Sequence, residues 1–209
     1  HTRRAVGALA TQALLNPLYG PAGLALLADG VAPEDAVARL VEADAGRDQR
    51  QLHLLGATGA AAAYTGAECV AWCGHRTHAD FSAAGNMLAG PEVLDATAQA
   101  YVASAGRSLA ERLLDALAAG DAAGGDKRGK QAAALRIHAA EDYPSLDLRV
   151  DDHAEPIAEL RRLYDASLER FQPFIACLAG RDSASGVIDR AEIERRIEAF
   201  RASHGLGNG

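Results

Sequence analysis

The sequence predicts a layered α+β fold in which helices cover sheets. Two observations lead to this class. The predicted helices come in pairs between groups of short strands, and 49% of the 209 residues are hydrophobic while 23% are charged, which is the balance of a packed globular protein. A chain of this length can bury one sizeable core. We therefore expect one main domain over residues 1–180 and a helical tail over residues 181–209.

The first half of the chain predicts a strand, two helices and a hairpin. Residues 5–13 are rich in small side chains and indicate a strand, which leads into a loop with two prolines and two glycines. Helices are predicted over residues 21–28 and 33–43, the second with acidic residues in its first turn, where the helix dipole favours them. Residues 50–56 and 61–66 flank a glycine turn and are typical of a hairpin.

The second half predicts alternating helices and strands after a loop over residues 68–81. Ser108 is a typical helix cap, and the leucines after it recur at helical spacing. The predicted elements are, in order, a strand over 81–84, helices over 91–104 and from Ser108, a buried strand over 131–138, a strand over 146–150, a long helix from Pro156 and a surface helix after Asp189. This order places sheets inside and helices outside.

Composition excludes several classes of partner. The formal net charge of -7 and the pI near 5.5 disfavour nucleic acid and anionic membranes, because both need a basic surface. No apolar run reaches the roughly 18 residues of a membrane-spanning helix. Three cysteines cannot pair completely, which favours a reducing compartment. We expect a cytoplasmic protein without nucleic-acid or membrane partners.

A glycine-rich stretch over residues 118–135 combines turn signals with charge. Gly120 is typical of a helix end and Gly124-Gly125 of a turn. The charged residues that follow need another explanation, since charged loops held between rigid elements often carry function. Asp126 and Arg128 either bind and orient a polar substrate or form a mutual ion pair that closes the loop.

Polar residues at the ends of other predicted elements are further candidates. Asn86 leaves a strand at a glycine, so its amide either enters a cleft as a donor to an oxyanion or makes a turn. A polar run at the end of the first strand offers ligand contacts or plain turn chemistry. Its members are Thr11, Gln12, Asn16 and Tyr19. Gln131 opens the next predicted strand, and one of Asp151, Asp152 and His153 either caps the following helix or does acid/base or metal work.

A cysteine and histidine cluster has the ligand types of a zinc site but not the spacing. Its members are Cys69, Cys73, His75 and His78. Tetrahedral zinc uses such ligands, but structural sites usually join two pairs separated by a dozen or more residues. We therefore predict a buried cysteine and solvated histidines, with no metal and no other cofactor.

Long blocks of the sequence resemble one bacterial and archaeal family. They are GALATQALLNPLYGPAGL, TGAECVAWCGH, GNMLAG, ERLLDALAAGDAAGGDKRGKQAAAL and LDLRVDDHAEPIAELRRLY. The chain is similar over these blocks to domain of unknown function 1028, which is placed in the N-terminal-nucleophile (Ntn) hydrolase superfamily. The resemblance implies an αββα four-layer sandwich. We expect a hydrolase that acts on an amide bond of a small metabolite, and a homo-oligomer. We take Asn86, Asp126 and Arg128 as the catalytic candidates and the remaining polar candidates as substrate-binding.

The opening of the chain departs from the family pattern. Family members begin with a strand that bears Thr or Ser behind the initiator methionine, and Ntn chemistry uses the side chain of the first residue as nucleophile with its own amine as base. His1 cannot fill that role, and Thr2 is not terminal. We expect either that a further segment precedes His1 in the natural protein or that this family member has no conventional Ntn nucleophile. The alternatives are a catalytically silent small-molecule-binding protein of the same fold and a zinc-stabilised interaction module.

Overall fold

The structure is a computed structural model that describes residues 1–206. These residues form a mixed α+β protein with seven α-helices and three small antiparallel sheets. The chain divides into two compact units, His1–Lys130 and Gln131 onward. The expected division after residue 180 stays a prediction. Within residues 1–206, every helix is too short or too polar to cross a bilayer.

The first unit contains a four-stranded sheet of order β1-β2-β3-β4. Its strands are β1 (Thr2–Arg3), β2 (Gly7–Ala13), β3 (Arg50–Gly56) and β4 (Ala61–Thr65). Each strand runs antiparallel to its neighbours. The structure confirms the predicted first strand and the predicted hairpin, because small and apolar residues flank a turn that closes at Gly59 with φ +88°.

One face of this sheet packs against two helices, α1 (Tyr19–Ala28) and α2 (Pro33–Glu42), close to the predicted bounds. Successive strand residues point to opposite faces, so alternate positions on β2, β3 and β4 form a core with the helices. The buried members of this core are Leu9, Tyr19, Ala36, Val37, Leu40, Leu52, Leu54 and Ala62. The intervening positions on the strands face the other way.

A second sheet of two strands, β5 (Gly74–His78) and β6 (Phe81–Gly85), contacts β3 and β4. The expected loop over residues 68–81 is therefore wrong over β5. Its sequence GHRTH lacks apolar alternation because both of its faces carry polar side chains with partners: His75 Nδ1 lies 2.9 Å from Thr65 Oγ1, and Arg76 Nε donates to Asp95 at 2.8 Å. Such partners lie outside the strand, so its own sequence gives no signal.

Two helices lie beyond this second sheet in the chain, α3 (Glu92–Ala103) and α4 (Leu109–Ala122). The first contacts β5 and β6, and the second packs along the first. Ser108 caps α4 through a reciprocal capping box with Glu111, as the sequence predicts. This local chemistry explains why the start of α4 was predictable.

The second unit has a two-stranded sheet and three helices. Its elements are β7 (Ala133–Ile137), β8 (Leu146–Val150), α5 (Pro156–Glu169), α6 (Phe171–Ile175) and α7 (Arg190–Ser203). The predicted buried, central strand over residues 131–138 is wrong: in the described chain β7 pairs only with β8, and Leu135 is its only buried residue. Small alanines gave the segment an apolar composition without the volume of a core strand. The predicted helix after Asp189 is confirmed as α7, and Asp189 caps it, whereas α6 was not predicted.

Candidate functional site

Six polar side chains lie between the two sheets of the first unit, among small apolar ones. We call this set the polar interlayer, and its members are Gln12, Gln51, His53 and Thr65 on the four-stranded sheet and His75 and Ser82 on the two-stranded sheet. Facing sheets ordinarily bury apolar side chains, because a buried polar group costs free energy unless it is hydrogen-bonded. Departures from that rule concentrate at functional sites. The interlayer is therefore our candidate site.

Strand register explains how three interlayer side chains form a row. Gln12 on β2 pairs with Gln51 on β3, and Gln51 pairs with Thr65 on β4. Cross-strand partners share a face of the sheet, so the three side chains stand next to one another. His53 lies two residues beyond Gln51 and therefore shares that face.

Gln51 is fully buried and connects both sheets. Its Nε2 lies within hydrogen-bonding distance of three oxygens: Thr65 Oγ1 at 2.9 Å, the Gly74 carbonyl at 2.9 Å and the Gly85 carbonyl at 3.0 Å. Its Oε1 accepts from Gln12 Nε2 at 2.5 Å and from Asn86 Nδ2 at 3.5 Å. An amide nitrogen has two hydrogens, so the three acceptors share them. Gln51 thereby ties β5 and β6 to β3.

Two histidine and hydroxyl pairs complete the interlayer. His53 Nδ1 lies 2.7 Å from Ser82 Oγ, and His75 Nδ1 lies 2.9 Å from Thr65 Oγ1. Burial, and next the nearby His75 and amino terminus, lower the pKa of His53 to about 4. Burial, and next Arg76, also lower the pKa of His75. A neutral imidazole can accept a proton, so Ser82 and His53 have the contact that a hydroxyl nucleophile and its base need.

A cavity of about 310 Å³ opens at the edge of the interlayer. Its lining residues are Glu34, Val37, Ala61, Ala62, Ala63, His75 and Thr77. This volume is at the lower end of the range of small-molecule sites. His75 belongs to both the interlayer and the cavity wall, so the two regions adjoin at this residue.

Gln12 and Asn86 are the two predicted site residues that the structure brings together. Both donate to the same oxygen, Oε1 of Gln51. Thr11 does not share this place, because it pairs with Leu52 and so lies on the helix-covered face. Its buried hydroxyl has no hydrogen-bond partner within residues 1–206. The predicted polar run is therefore divided between two faces of the sheet.

Asn16 and Tyr19 belong to a separate network around Asp44. The Asn16 amide donates to the Asp44 carboxylate at 3.0 Å and the Tyr19 hydroxyl donates at 2.9 Å. Arg50 Nε donates to the same carboxylate at 3.1 Å. These hydrogen bonds, that of Asn16 first, hold the pKa of Asp44 well below its usual range, whereas burial and then Asp44 raise the pKa of Tyr19. The network joins α1 to β3, which is a structural task.

Asp126 and Arg128 form the mutual ion pair that was one of their two predicted roles. Arg128 donates from Nε at 3.0 Å and from Nη2 at 2.6 Å to the two carboxylate oxygens of Asp126. This hydrogen bonding to Arg128 lowers the pKa of Asp126. The loop runs antiparallel to the segment after Asn86, since Asp126 bridges to Leu88. Substrate contact by this pair stays a prediction.

The remaining candidates lie in the second unit. Gln131 Nε2 donates to Asp152 at 3.1 Å, and Asp151 pairs with the exposed Arg149. His153 accepts from the N–H of Glu155 at 3.0 Å. Glu155 is itself the N-cap residue of α5, and no side chain caps the helix there. The expectation that one of the three residues caps this helix is therefore wrong. Pro156, at the first helical position, has no backbone N–H, so the start of α5 has one donor fewer for a cap to bond.

The cysteine and histidine cluster is dispersed. Buried Cys69 donates through its thiol to the Arg50 carbonyl at 3.3 Å, and exposed His78 stacks on Phe81. His75 is only partly exposed and contacts Thr65, so the expectation of a solvated side chain is wrong for this histidine. Among residues 1–206 no group of three potential metal ligands comes together. The absence of a bound metal stays a prediction.

Sequence reasoning missed four interlayer residues, Gln51, His53, Thr65 and Ser82. Each is polar in a predicted strand, where polarity ordinarily indicates the solvent face. The available signal was register: the predicted hairpin puts Gln51, His53 and Thr65 on one face, and the other face is apolar. Identifying that face as buried required the second sheet, half of which was not predicted.

Small antiparallel sheets, helices and a hydrogen-bonded polar interlayer define a mixed α+β protein. The model of the family of unknown function DUF1028 matches residues 1–160, and the chain belongs to this family. The crystal structure of a protein from Silicibacter pomeroyi, assigned to the same family, is similar to this chain with a TM-score of 0.82 and 33% identity. The similarity covers 91% of this chain and 83% of that one. Among curated proteins no relative matches.

Proposed function

We propose that this protein is an Ntn-type hydrolase that cleaves an amide bond of a small metabolite, with its first unit arranged as an αββα sandwich. The contacts within the unit support this arrangement. Helices α1 and α2 pack on one sheet, that sheet contacts β5 and β6, and α3 packs on these strands and against α4. This sequence of contacts supports the layer order that the resemblance implies.

The observation that carries the proposal is the polar interlayer. Amide hydrolysis develops negative charge on the substrate oxygen, which preorganised N–H donors stabilise. Asn86 Nδ2 makes only a long 3.5 Å contact to Gln51, so its amide is able to turn toward a ligand. We assign Asn86 and the neighbouring Gln12 this donor role.

The Asp126–Arg128 loop is assigned the orientation of substrate. Arg128 uses Nε and Nη2 for its partner, while Nη1 retains N–H groups for a second acceptor. Its side chain is 66% exposed, so an incoming carboxylate or amide can reach it. The loop lies beside the segment that follows Asn86, which puts both assigned roles on adjoining backbone.

The nucleophile separates this proposal from its closest rival mechanism. An Ntn hydrolase uses a terminal hydroxyl or thiol residue with its own amine as base, whereas Ser82 with His53 would act as an internal pair. The proposal assigns no nucleophile among residues 1–206. It requires that Ser82 be dispensable.

The test uses the natural full-length protein and its variants, expressed from the gene and with their N-termini sequenced, and a panel of small amides. Amine or ammonia release is measured for the wild type, Asn86→Ala and Ser82→Ala. We expect Asn86→Ala to lower kcat by about 100-fold, the effect of losing one oxyanion donor, and Ser82→Ala to retain most activity. Loss of activity in Ser82→Ala would refute the Ntn mechanism, and no release from any amide would refute the hydrolase.

A catalytically silent small-molecule-binding protein is the second candidate. The favouring observation is that the interlayer satisfies itself: His53 contacts Ser82, Thr65 contacts His75, and Gln51 has five partners. An interlayer of this kind can shape a binding site while none of its side chains is free to act as a nucleophile. Calorimetric binding of a panel amide that is never cleaved would support this candidate. Cytoplasmic location and a homo-oligomeric state also stay proposals, and light scattering tests the latter.

A further inference from the structure

The strand β4 has an open edge within residues 1–206, because the sheet order ends there. Hydrogen bonds at its two ends, Gly56 N–H to Ala60 and Gly66 N–H to Arg50, fix which residues bond to β3. In an antiparallel pair bonded and non-bonded residues alternate, so the even-numbered residues of β4 bond to β3. The N–H and C=O groups of Ala61 and Ala63 therefore point outward.

This edge lacks the features that proteins use to block strand addition. Exposed edges are ordinarily protected by charged side chains, proline or a bulge. The sequence of β4 is AAAYT, its register with β3 is continuous from Ala61 to Thr65, and the backbone groups of Ala61 and Ala63 bond to no other described residue. Small alanine side chains also let another backbone approach closely.

The 310 Å³ cavity lies against the same edge. Ala61, Ala62 and Ala63 belong to its lining, Glu34 comes from the start of α2, and Thr77 comes from β5. Glu34 is exposed and forms no ion pair with any residue in 1–206. An unpaired carboxylate beside unpaired backbone groups matches an extended chain that carries a cation.

We propose that the groove along β4 binds a short, lysine- or arginine-bearing peptide in extended conformation. The peptide backbone pairs with the N–H and C=O groups of Ala61 and Ala63, which is recognition by strand addition. Its basic side chain lies near Glu34, and His75 and Thr77 also line the groove. That this peptide is a substrate rests on the proposed hydrolase function, but its binding does not.

The peptide probes are acetyl-Ala-Lys-Ala-amide, the same peptide with Glu in place of Lys, and the lysine peptide with N-methylated backbone amides. Binding to the full chain is followed by NMR titration. We expect the lysine peptide to bind, N-methylation to weaken it at least 10-fold, and the glutamate peptide to bind several-fold more weakly. Glu34→Gln should remove the difference between the lysine and glutamate peptides.

The decisive variant is Ala63→Pro, which removes one outward N–H but no bond to β3. Proline is tolerated at such edge positions. We expect it to weaken the lysine peptide at least 10-fold, while the matched Ala63→Ser, which keeps the N–H, binds as the wild type does. If Ala63→Pro fails to fold, the N-methylated peptide still tests the backbone pairing.

Three results would overturn the inference: no binding of the lysine peptide, binding that is insensitive to both N-methylation and Ala63→Pro, or a dimer that Ala63→Pro dissociates and peptide cannot enter. The last result would make a second copy the occupant. Peptide binding without cleavage of any amide would refute only the hydrolase. Cleavage of small amides without peptide binding would refute only this inference.

Discussion

Acidification should destabilise the first unit through His53. This histidine lies in the polar interlayer, where burial, His75 and the amino terminus all disfavour its charged form and lower its pKa to about 4. Its ordinary value, which it regains on unfolding, is about 6.5. The folded state therefore binds a proton less readily than the unfolded state between these two values.

The magnitude follows from that difference. Because the pKa is depressed in the folded state, the stabilisation by neutral His53 is fully present above pH 6.5 and is lost as the pH falls toward 4. A difference of about 2.5 pH units at about 1.36 kcal/mol per unit corresponds to about 3 kcal/mol. Most of it should disappear between pH 6.5 and 4.

The assay is urea unfolding of the wild type and of His53→Gln at pH 7.5 and pH 4.5. Glutamine stays neutral and can still accept from Ser82, so this variant should lose about 2 kcal/mol less than the wild type over the interval. Acid effects on other groups are common to both proteins and cancel in the comparison. Equal losses, or an NMR titration that places the pKa of His53 near 6.5, would refute the reasoning.

Two further changes distinguish structural from exposed polar contacts. Gln51→Leu should cost about 3 kcal/mol in urea unfolding, because it removes the amide that donates to the Gly74 carbonyl and to the buried Gly85 carbonyl and leaves the amide of Gln12 without its acceptor. A cost below about 1 kcal/mol would mean that water replaces the amide. Arg128→Ala should cost at most about 1 kcal/mol, because its ion pair with Asp126 is exposed, and a global loss of structure by circular dichroism would contradict that view.

Much of the fold was predictable because its signals are local. The capping box of Ser108, the Asp189 cap and the glycine turn between β3 and β4 each lie within a few residues of the element they define. The strand β5 was not predictable in this way. Its polar side chains are satisfied only by residues distant in sequence, such as the Asp95 partner of Arg76.

The candidate site shows the same division. Gln12 and Asn86 were predicted and meet at Gln51, but Gln51 itself was not, since a polar residue in a strand indicates the solvent face until a second sheet covers it. The two-residue period of a strand is enough to exclude the prediction that Thr11 and Gln12 line the same cleft. Thr11 and Gln12 are adjacent in β2 and therefore face opposite sides, so they cannot both line one cleft.

The glycine-rich loop shows why charge and backbone freedom occur together. Gly124 and Gly125 have φ of +116° and +49°, and they let the chain turn from α4 back toward the segment after Asn86. There Lys127 donates its N–H to the Met87 carbonyl at 2.9 Å and its ammonium to the Ala71 carbonyl at 2.6 Å. The glycines provide the turn, and Lys127 attaches the loop to Ala71 and to Met87, the residue next to Asn86. A loop whose only role is to bind a ligand would not need these contacts to the Met87 and Ala71 carbonyls. A loop whose only role is to reverse the chain would not need an exposed Arg128.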